Sequence, residues 1–273
     1  MQKILNVESV SRVFSDGSIA LKNVSFSVNS GEFIVLAGSN GSGKTVLMNL
    51  ISGLDFPTQG SISLQEGVKV GLVFQDADAQ ILGETPEEDV SFGARNCGLK
   101  KDALKECVEK SLDSCGLLQK KDFPARQMSG GEKRRLAVAG ILAMNCSLII
   151  FDEPFANLDY EGVRQVCAIL KKLKSQGKTV IVLTHELEKI LALADRFLIL
   201  NKGKLCFDGS VREGLSLNLE QYSIRNPLCS YTKWRTCCGC KFVFLPKREF
   251  HSSQVQGLGK GFLSYCILHI HIC

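Results

Sequence analysis

Gly38-Ser39-Asn40-Gly41-Ser42-Gly43-Lys44-Thr45 fits the pattern G-x-x-x-x-G-K-[ST] at every fixed position. The run before it, Phe33-Ile34-Val35-Leu36-Ala37, is wholly apolar and reads as a buried parallel strand. Behind it, Leu47, Leu50, Ile51 and Leu54 recur at i, i+3, i+4, i+7, which predicts one face of a helix. Strand, glycine-rich loop and helix together make a phosphate cradle. The glycines let the backbone turn tightly enough to aim several N–H groups at phosphate oxygens, and the helix N-terminus adds partial positive charge at the same place. Lys44 is then expected to reach the β- and γ-phosphates, and the Thr45 hydroxyl to ligate Mg²⁺. A plain glycine-rich turn is the alternative, and the flanking strand and helix argue against it.

Working outward, the chain has 273 residues, room for one large domain or two small ones. At 45% hydrophobic and 22% charged, its composition is that of a globular protein. It contains no apolar run of about 18 residues, so no membrane-spanning helix is expected. Met1 to Glu8 lacks the apolar core of a signal peptide, which leads us to expect a cytosolic protein. The net charge of +5 is unevenly placed: residues 1–225 carry 27 basic and 27 acidic side chains, whereas 226–273 carry six basic ones and Glu249 alone. The neutral body argues against nucleic acid as a partner. The six body cysteines (Cys97, Cys107, Cys115, Cys146, Cys167, Cys206) read as small, reduced residues.

The N-terminal part reads as short strands, Ile4 to Val10 and an alternating Val24 to Val28, joined through a turn at Ser15-Asp16-Gly17-Ser18. Phe14 stands just before that turn; it could stack on a base or lie in the core. After a turn at Asp55 to Gly60 come two more strand-like runs, Ser61–Leu64 and Lys69–Phe74. The second leads into Gln75, which could reach a metal-bound water or a phosphate.

From about 85 to 145 the period turns helical, with Leu104, Cys107, Val108, Leu112 and Cys115 on one face. This stretch reads as a helical lobe inserted into the α/β core. It ends in Met128-Ser129-Gly130-Gly131-Glu132-Lys133-Arg134-Arg135, where Ser-Gly-Gly opens a helix as either a second anion site or a plain N-cap.

Ser147-Leu148-Ile149-Ile150-Phe151-Asp152-Glu153-Pro154 is a buried strand ending in two carboxylates. Asp152 is placed to hold Mg²⁺ through water. Glu153 should point elsewhere, and could polarise the attacking water as a general base. Val163, Val166, Cys167, Leu170 and Leu173 form another helix stripe, and Thr179–Thr184 a further buried strand with His185 at its end. Ligands bind outside the carboxyl ends of such strands, so Gly38, Gln75, Asp152 and His185 should converge on one crevice. Arg196–Leu200 and Leu205–Phe207 finish the sheet.

Across about residues 2–215 these motifs, in this order, resemble the nucleotide-binding subunit of an ATP-binding-cassette (ABC) transporter. The resemblance rests on the phosphate loop, Gln75, Ser129-Gly130-Gly131-Glu132, Asp152-Glu153, Asn157-Leu158-Asp159 and His185. It implies an α/β fold: a P-loop core sheet, an N-terminal antiparallel β portion and an inserted helical lobe within an ATPase domain at 1–225. It also implies ATP and Mg²⁺ as cofactors, and a second, identical or homologous cassette that closes head to tail on two ATP molecules. Each ATP would lie between one protomer's Gly38–Thr45 and the other's Ser129-Gly130-Gly131. Glu153 would be the base, His185 would contact the γ-phosphate, Asp159 would link the two sites and Phe14 would stack on the base. An integral membrane subunit would dock near Gln75, holding the chain at the cytoplasmic face of the membrane.

Val73–Leu82, Gln80 in particular, and the segment Thr85 to Gly93 are similar to the energy-coupling-factor type, whose members power uptake of vitamins or of cobalt or nickel ions. Other importers or exporters, a soluble cassette acting on ribosomes or DNA, and a non-catalytic regulatory cassette are the alternatives. One cassette without sustained heptads speaks against the soluble class, and the presence of Lys44, Asp152, Glu153 and His185 against the regulatory one. The chain departs from the family pattern at Glu132, where Gln is usual, at Val46, where a hydroxyl is preferred, and at Asp76-Ala77. An acid at 132 is expected to weaken the partner's ATP binding or alter its ribose contacts.

Residues 226–273 match nothing in the family. Cys237-Cys238-Gly239-Cys240 with His251, His269 and His271 invites a zinc reading, but the spacing fits no standard finger. Membrane contact through residues such as Phe262-Leu263 is a second reading. A poorly ordered or non-native end, as from a change of reading frame, accounts best for the abrupt shift in charge, Cys and His.

Overall fold

The structure is a computed structural model that describes residues 2–228. The zinc, membrane-contact and non-native-end readings for the tail lie outside the described residues.

In chain order the elements are β1 (Lys3–Val13), β2 (Ile19–Asn29), β3 (Phe33–Ala37), α1 (Lys44–Ile51), β4 (Gln59–Leu64) and β5 (Val70–Val73). Then follow α2 (Pro86–Asn96), α3 (Lys101–Ser114), α4 (Gly130–Ala143), β6 (Leu148–Asp152) and α5 (Tyr160–Ser175). The last are β7 (Thr179–Thr184), β8 (Arg196–Asn201), β9 (Lys204–Gly209) and α6 (Val211–Ser216). Two sheets form. One is antiparallel, with order β2-β1-β4; the other has order β5-β6-β7-β3-β8-β9 and is parallel except for β9.

The apolar run Phe33 to Ala37 folds as it does because both sheet faces are covered. All five side chains are buried. Phe33, Val35 and Ala37 join a core with α4 and α5, while Ile34 and Leu36 join one with α1 and the antiparallel sheet. Each such Val, Leu or Ile removed from water contributes about 1.5–3 kcal/mol, which fixes the register of β3 against β7 and β8. The carboxyl ends of β3, β6 and β7 therefore lie side by side.

Helices α2, α3 and α4 pack on one another. Thr85 caps α2, accepting a hydrogen bond from the Glu88 N–H, with Pro86 at the first helical position and three acids in the first turn. The stripe expected on α3 is found, with Val108, Leu112 and Cys115 buried against α4. One expectation is corrected: α1 ends at Ile51, and Leu54 lies beyond it, 62% exposed. Gly53, at φ +76°, takes the left-handed conformation that turns the chain out of the helix before the fourth apolar residue is reached.

Candidate nucleotide-binding site

The loop Gly38 to Gly43 carries β3 into α1. Gly43 sits at φ +103°, and a Cβ there would stand 2.7 Å from the Ala20 carbonyl and 2.8 Å from Leu21 Cδ2. The loop is thus pressed onto β2 at a position only glycine fills. A Cβ at Gly38 would collide with the Leu200 carbonyl and Ser42 Oγ. Lys44 is buried and curls back over the loop. Its Nζ donates to the carbonyls of Gly38 at 2.7 Å and Ser39 at 3.1 Å. An ammonium has three N–H donors, so one remains, and Glu153 Oε1 stands 3.7 Å from the same nitrogen. Burial pushes the Lys44 amine down, while Glu153 and Asp152 push it back up.

Asp152 ends β6, and Glu153 follows it. Thr45 Oγ1 donates to Asp152 Oδ2 at 2.9 Å. Burial pushes the Asp152 carboxyl above its ordinary range, against the Thr45 hydrogen bond, and the Glu153 carboxylate adds to the push.

Strand alternation predicts that Glu153 points away from this crevice. It does not: Glu153 is at φ +44°, outside the strand, and the left-handed backbone swings its side chain to the same side as Asp152. There His185 Nδ1 lies 2.9 Å from Glu153 Oε1, and the Glu153 N–H donates to the Leu183 carbonyl at 2.9 Å. Glu153 is 6% exposed and the His185 side chain 52%, so the pair joins the buried centre to the surface.

Lys44, Thr45, Asp152 and Glu153 share one cleft, lined also by Phe14, Asn40 to Gly43, Val46 and Gln75, with Ser18, Ile19 and Ala20 supplying a wall that the sequence did not announce; Gly38, Ser39 and His185 are not among the residues that line it. Phe14 is exposed at its edge and does not lie in the core; the Arg12 guanidinium stands 5.4 Å from its ring. Gln75 is exposed and also lines the cleft. The residues fit a polyphosphate. Ser42 Oγ is buried with no hydrogen-bond partner, as a phosphate-binding hydroxyl would be before its ligand arrives.

Ser129, Gly130, Gly131 and Glu132 are not in this cleft. They line a second one with Arg135, Asn157, Leu158 and Asp159. The N-cap reading of Ser129 holds: it caps α4 in a capping box with Glu132, which uses its side chain as an acceptor and leaves its O–H to donate. Asp159 caps α5, accepting a hydrogen bond from the Gly162 N–H at 2.8 Å.

Sequence reasoning passed over Arg134. It lies in the basic run Lys133-Arg134-Arg135, yet is 4% exposed. Its guanidinium donates to the carbonyls of Phe74 at 2.8 Å and Ala156 at 3.4 Å, tying α4 to the loop before Gln75 and the loop after Glu153. Gln80 grips the same loop from the other side. It accepts from the Phe74 N–H at 3.1 Å and donates to the Leu72 carbonyl at 2.8 Å.

The sequence pattern of the family described as ABC transporter matches residues 21–156. A putative ABC transporter ATP-binding protein of Pyrococcus furiosus is 37% identical, over 82% of this chain and 90% of its own length. An energy-coupling factor transporter ATP-binding protein of Caldanaerobacter subterraneus is 37% identical over 78% and 83%. Among solved structures, cbiO1 from Clostridium perfringens, described as part of the ABC transporter complex cbiONQ, superposes with a TM-score of 0.73. It is 31% identical, over 83% of this chain and 97% of that one. A cassette described as dimeric, in a post-hydrolysis state bound to ADP and Pi, reaches a TM-score of 0.68 at 28% identity, over 77% and 99%. With the phosphate loop, the paired carboxylates and relatives of this length and identity, the chain belongs to the ABC transporter family, as an ATP-binding ATPase subunit of the energy-coupling-factor kind.

Proposed function

We propose that this chain hydrolyses ATP in the first cleft and so drives uptake of a vitamin or a transition-metal ion through a membrane transporter. The observation that carries the reading is the meeting of Lys44, Thr45, Asp152, Glu153 and His185 at the carboxyl ends of β3, β6 and β7. Gly38, Ser39, Asn40, Gly41, Ser42 and Gly43 would cradle the phosphates, and the free N–H of Lys44 would turn from Glu153 to the γ-phosphate. Glu153 would take the proton of the attacking water, with His185 holding its carboxylate in place. Phe14 would stack on the base. Thr45 and Asp152 would hold Mg²⁺, with Gln75 at the cleft wall. That cation prefers oxygen ligands, and when bound it neutralises phosphate charge. Among the described residues no group of three His, Cys, Asp or Glu side chains could hold a metal alone, which suits an ion that arrives with its nucleotide.

A second cassette, identical or homologous, would complete each site with its Ser129, Gly130, Gly131 and Glu132, and Asp159 would lie at the seam. The separation of the two clefts on one chain supports this, since one chain alone leaves the signature residues facing no phosphate loop. An integral membrane subunit would dock beside the exposed Gln75 at the cytoplasmic face. Among the described residues no helix is long and apolar enough to cross a membrane itself. Residues 1–225 would form the ATPase domain.

The test is a pull-down of the tagged chain from detergent-solubilised native membranes. A small integral substrate-binder and a larger transmembrane subunit are expected in the eluate by mass spectrometry. Ribosomal or DNA-repair proteins without a membrane subunit would overturn the transport reading and leave the ATP site standing.

The raised Asp152 carboxyl makes a second expectation. A carboxyl raised by folding favours the native state only below a window that begins at the ordinary 3.8 and runs upward; at neutral pH its buried charge is a cost. Asp152→Asn keeps an oxygen for the Thr45 O–H and removes that charge. Without nucleotide it is expected to melt at a higher temperature at pH 7, and the gain should shrink as the pH approaches 4. The same variant should lose Mg²⁺-dependent hydrolysis. A lower melting point at pH 7 would show that the charge is stabilised rather than strained.

A further inference from the structure

The second cleft has a charge balance unsuited to a polyphosphate. Its lining includes three carboxylates, Glu132, Asp159 and Glu161, against the single guanidinium of Arg135. Two of the three are offset by neighbours on their own helix. Asp159 caps the N-terminus of α5, and Glu161 pairs with Arg164 at 3.2 Å. Glu132 is offset from elsewhere in the chain. Its Oε1 lies 2.5 Å from Lys120 Nζ, and its Oε2 accepts from the Ser129 N–H at 3.0 Å. Lys120 belongs to a short 3-10 turn, Leu118–Lys120, and its ammonium also stands 5.3 Å from the Phe123 ring, which holds it in place from the other side. The Lys120 hydrogen bond is the largest cause of the depressed Glu132 carboxyl, followed by the Ser129 N–H.

We propose that Lys120 is a positioning residue of the signature cleft: by pairing with Glu132 it sets the charge this cleft presents to the nucleotide held by a second cassette. Lys120 thereby sets the ATP concentration at which two cassettes close. The proposal rests on the two-cassette reading above. It runs against the expectation that the acid at 132 weakens the partner's ATP binding or alters its ribose contacts, since both Glu132 oxygens have partners and its charge has a counter-ion.

The test uses the hydrolysis-arrested Glu153→Gln chain, mixed with its partner cassette if the pull-down shows that to be a different protein. ATP is titrated at low salt, and association is followed by light scattering. Lys120→Met is expected to raise the half-saturating ATP concentration roughly five- to tenfold, the scale of one uncompensated charge near a polyphosphate, with the effect shrinking in added salt. Lys120→Arg should restore it. Glu132→Gln is titrated alongside as the reference for the double variant, since Gln also closes a capping box. Lys120→Met with Glu132→Gln should return to the Glu132→Gln value, because no charge is left to offset.

An unchanged Lys120→Met curve would overturn the proposal. So would a double variant as weak as Lys120→Met, which would mean that Lys120 acts on the nucleotide and not through Glu132. A parent that never associates with ATP would overturn the two-cassette reading itself. A fold defect is recognised separately, by a lower melting temperature in Lys120→Met that Glu132→Gln does not relieve.

Discussion

Glu153→Gln is expected to leave a protein that binds ATP more tightly than the wild type and hydrolyses it about 10²–10⁴-fold more slowly. Both effects follow from the same contacts. The Glu153 carboxylate is the general base in our reading, and an amide cannot take a proton. It is also the anion that stands 3.7 Å from Lys44 Nζ and 2.9 Å from His185 Nδ1. An arriving phosphate competes with it for Lys44. The neutral amide removes that competition and keeps the shape. Single-turnover hydrolysis of labelled ATP gives the chemical step, and ATP titration gives the affinity. Hydrolysis at the wild-type rate would remove Glu153 from the role of base. Slow hydrolysis with weakened binding would mean that Glu153 chiefly holds the loop open for phosphate.

Lys44→Ala should abolish tight nucleotide binding, lowering ATP affinity by about two orders of magnitude or more. The loss has two sources. The ammonium supplies a charge-assisted hydrogen bond to phosphate, worth about 1.5–3 kcal/mol. It also closes the loop on itself through the Gly38 and Ser39 carbonyls, so its removal frees the cradle as well as the charge. Equilibrium binding of a fluorescent ATP analogue measures the loss. The folded state should survive, because the truncation leaves the buried Glu153 still hydrogen-bonded to His185. Unchanged affinity would remove the phosphate-loop assignment. Lys44→Arg separates the two sources: it restores charge, but its broader head cannot reach both carbonyls of so tight a turn.

The order of elements around the phosphate loop was legible because each rests on local chemistry. Phe33 to Ala37 is apolar at every position, so it could only be a strand covered on both faces, and the glycines after it could only be a turn. Helix α4 was harder to read beyond its cap. Leu136 to Ala139, Ile141 and Ala143 are buried nearly all round, so the helix shows no apolar stripe to set its extent. Leu54 was misplaced because periodicity cannot see a left-handed glycine that ends a helix one turn early.

The sequence by itself determined the chemistry at hand: a lysine and a threonine after a glycine loop, two carboxylates after a buried strand, a histidine after another. It did so because phosphate-binding loops and strand ends are written in consecutive residues. Only the tertiary structure decided which of these groups meet. It turned Glu153 into the cleft through one positive φ, put Ser129 to Glu132 into a cleft of their own, buried Arg134 between two loops and set Lys120 on Glu132. Those outcomes depend on pairings that run from 12 positions apart, for Lys120 and Glu132, to 109, for Lys44 and Glu153, and on one strained backbone angle, and neither leaves a period or a motif in the chain.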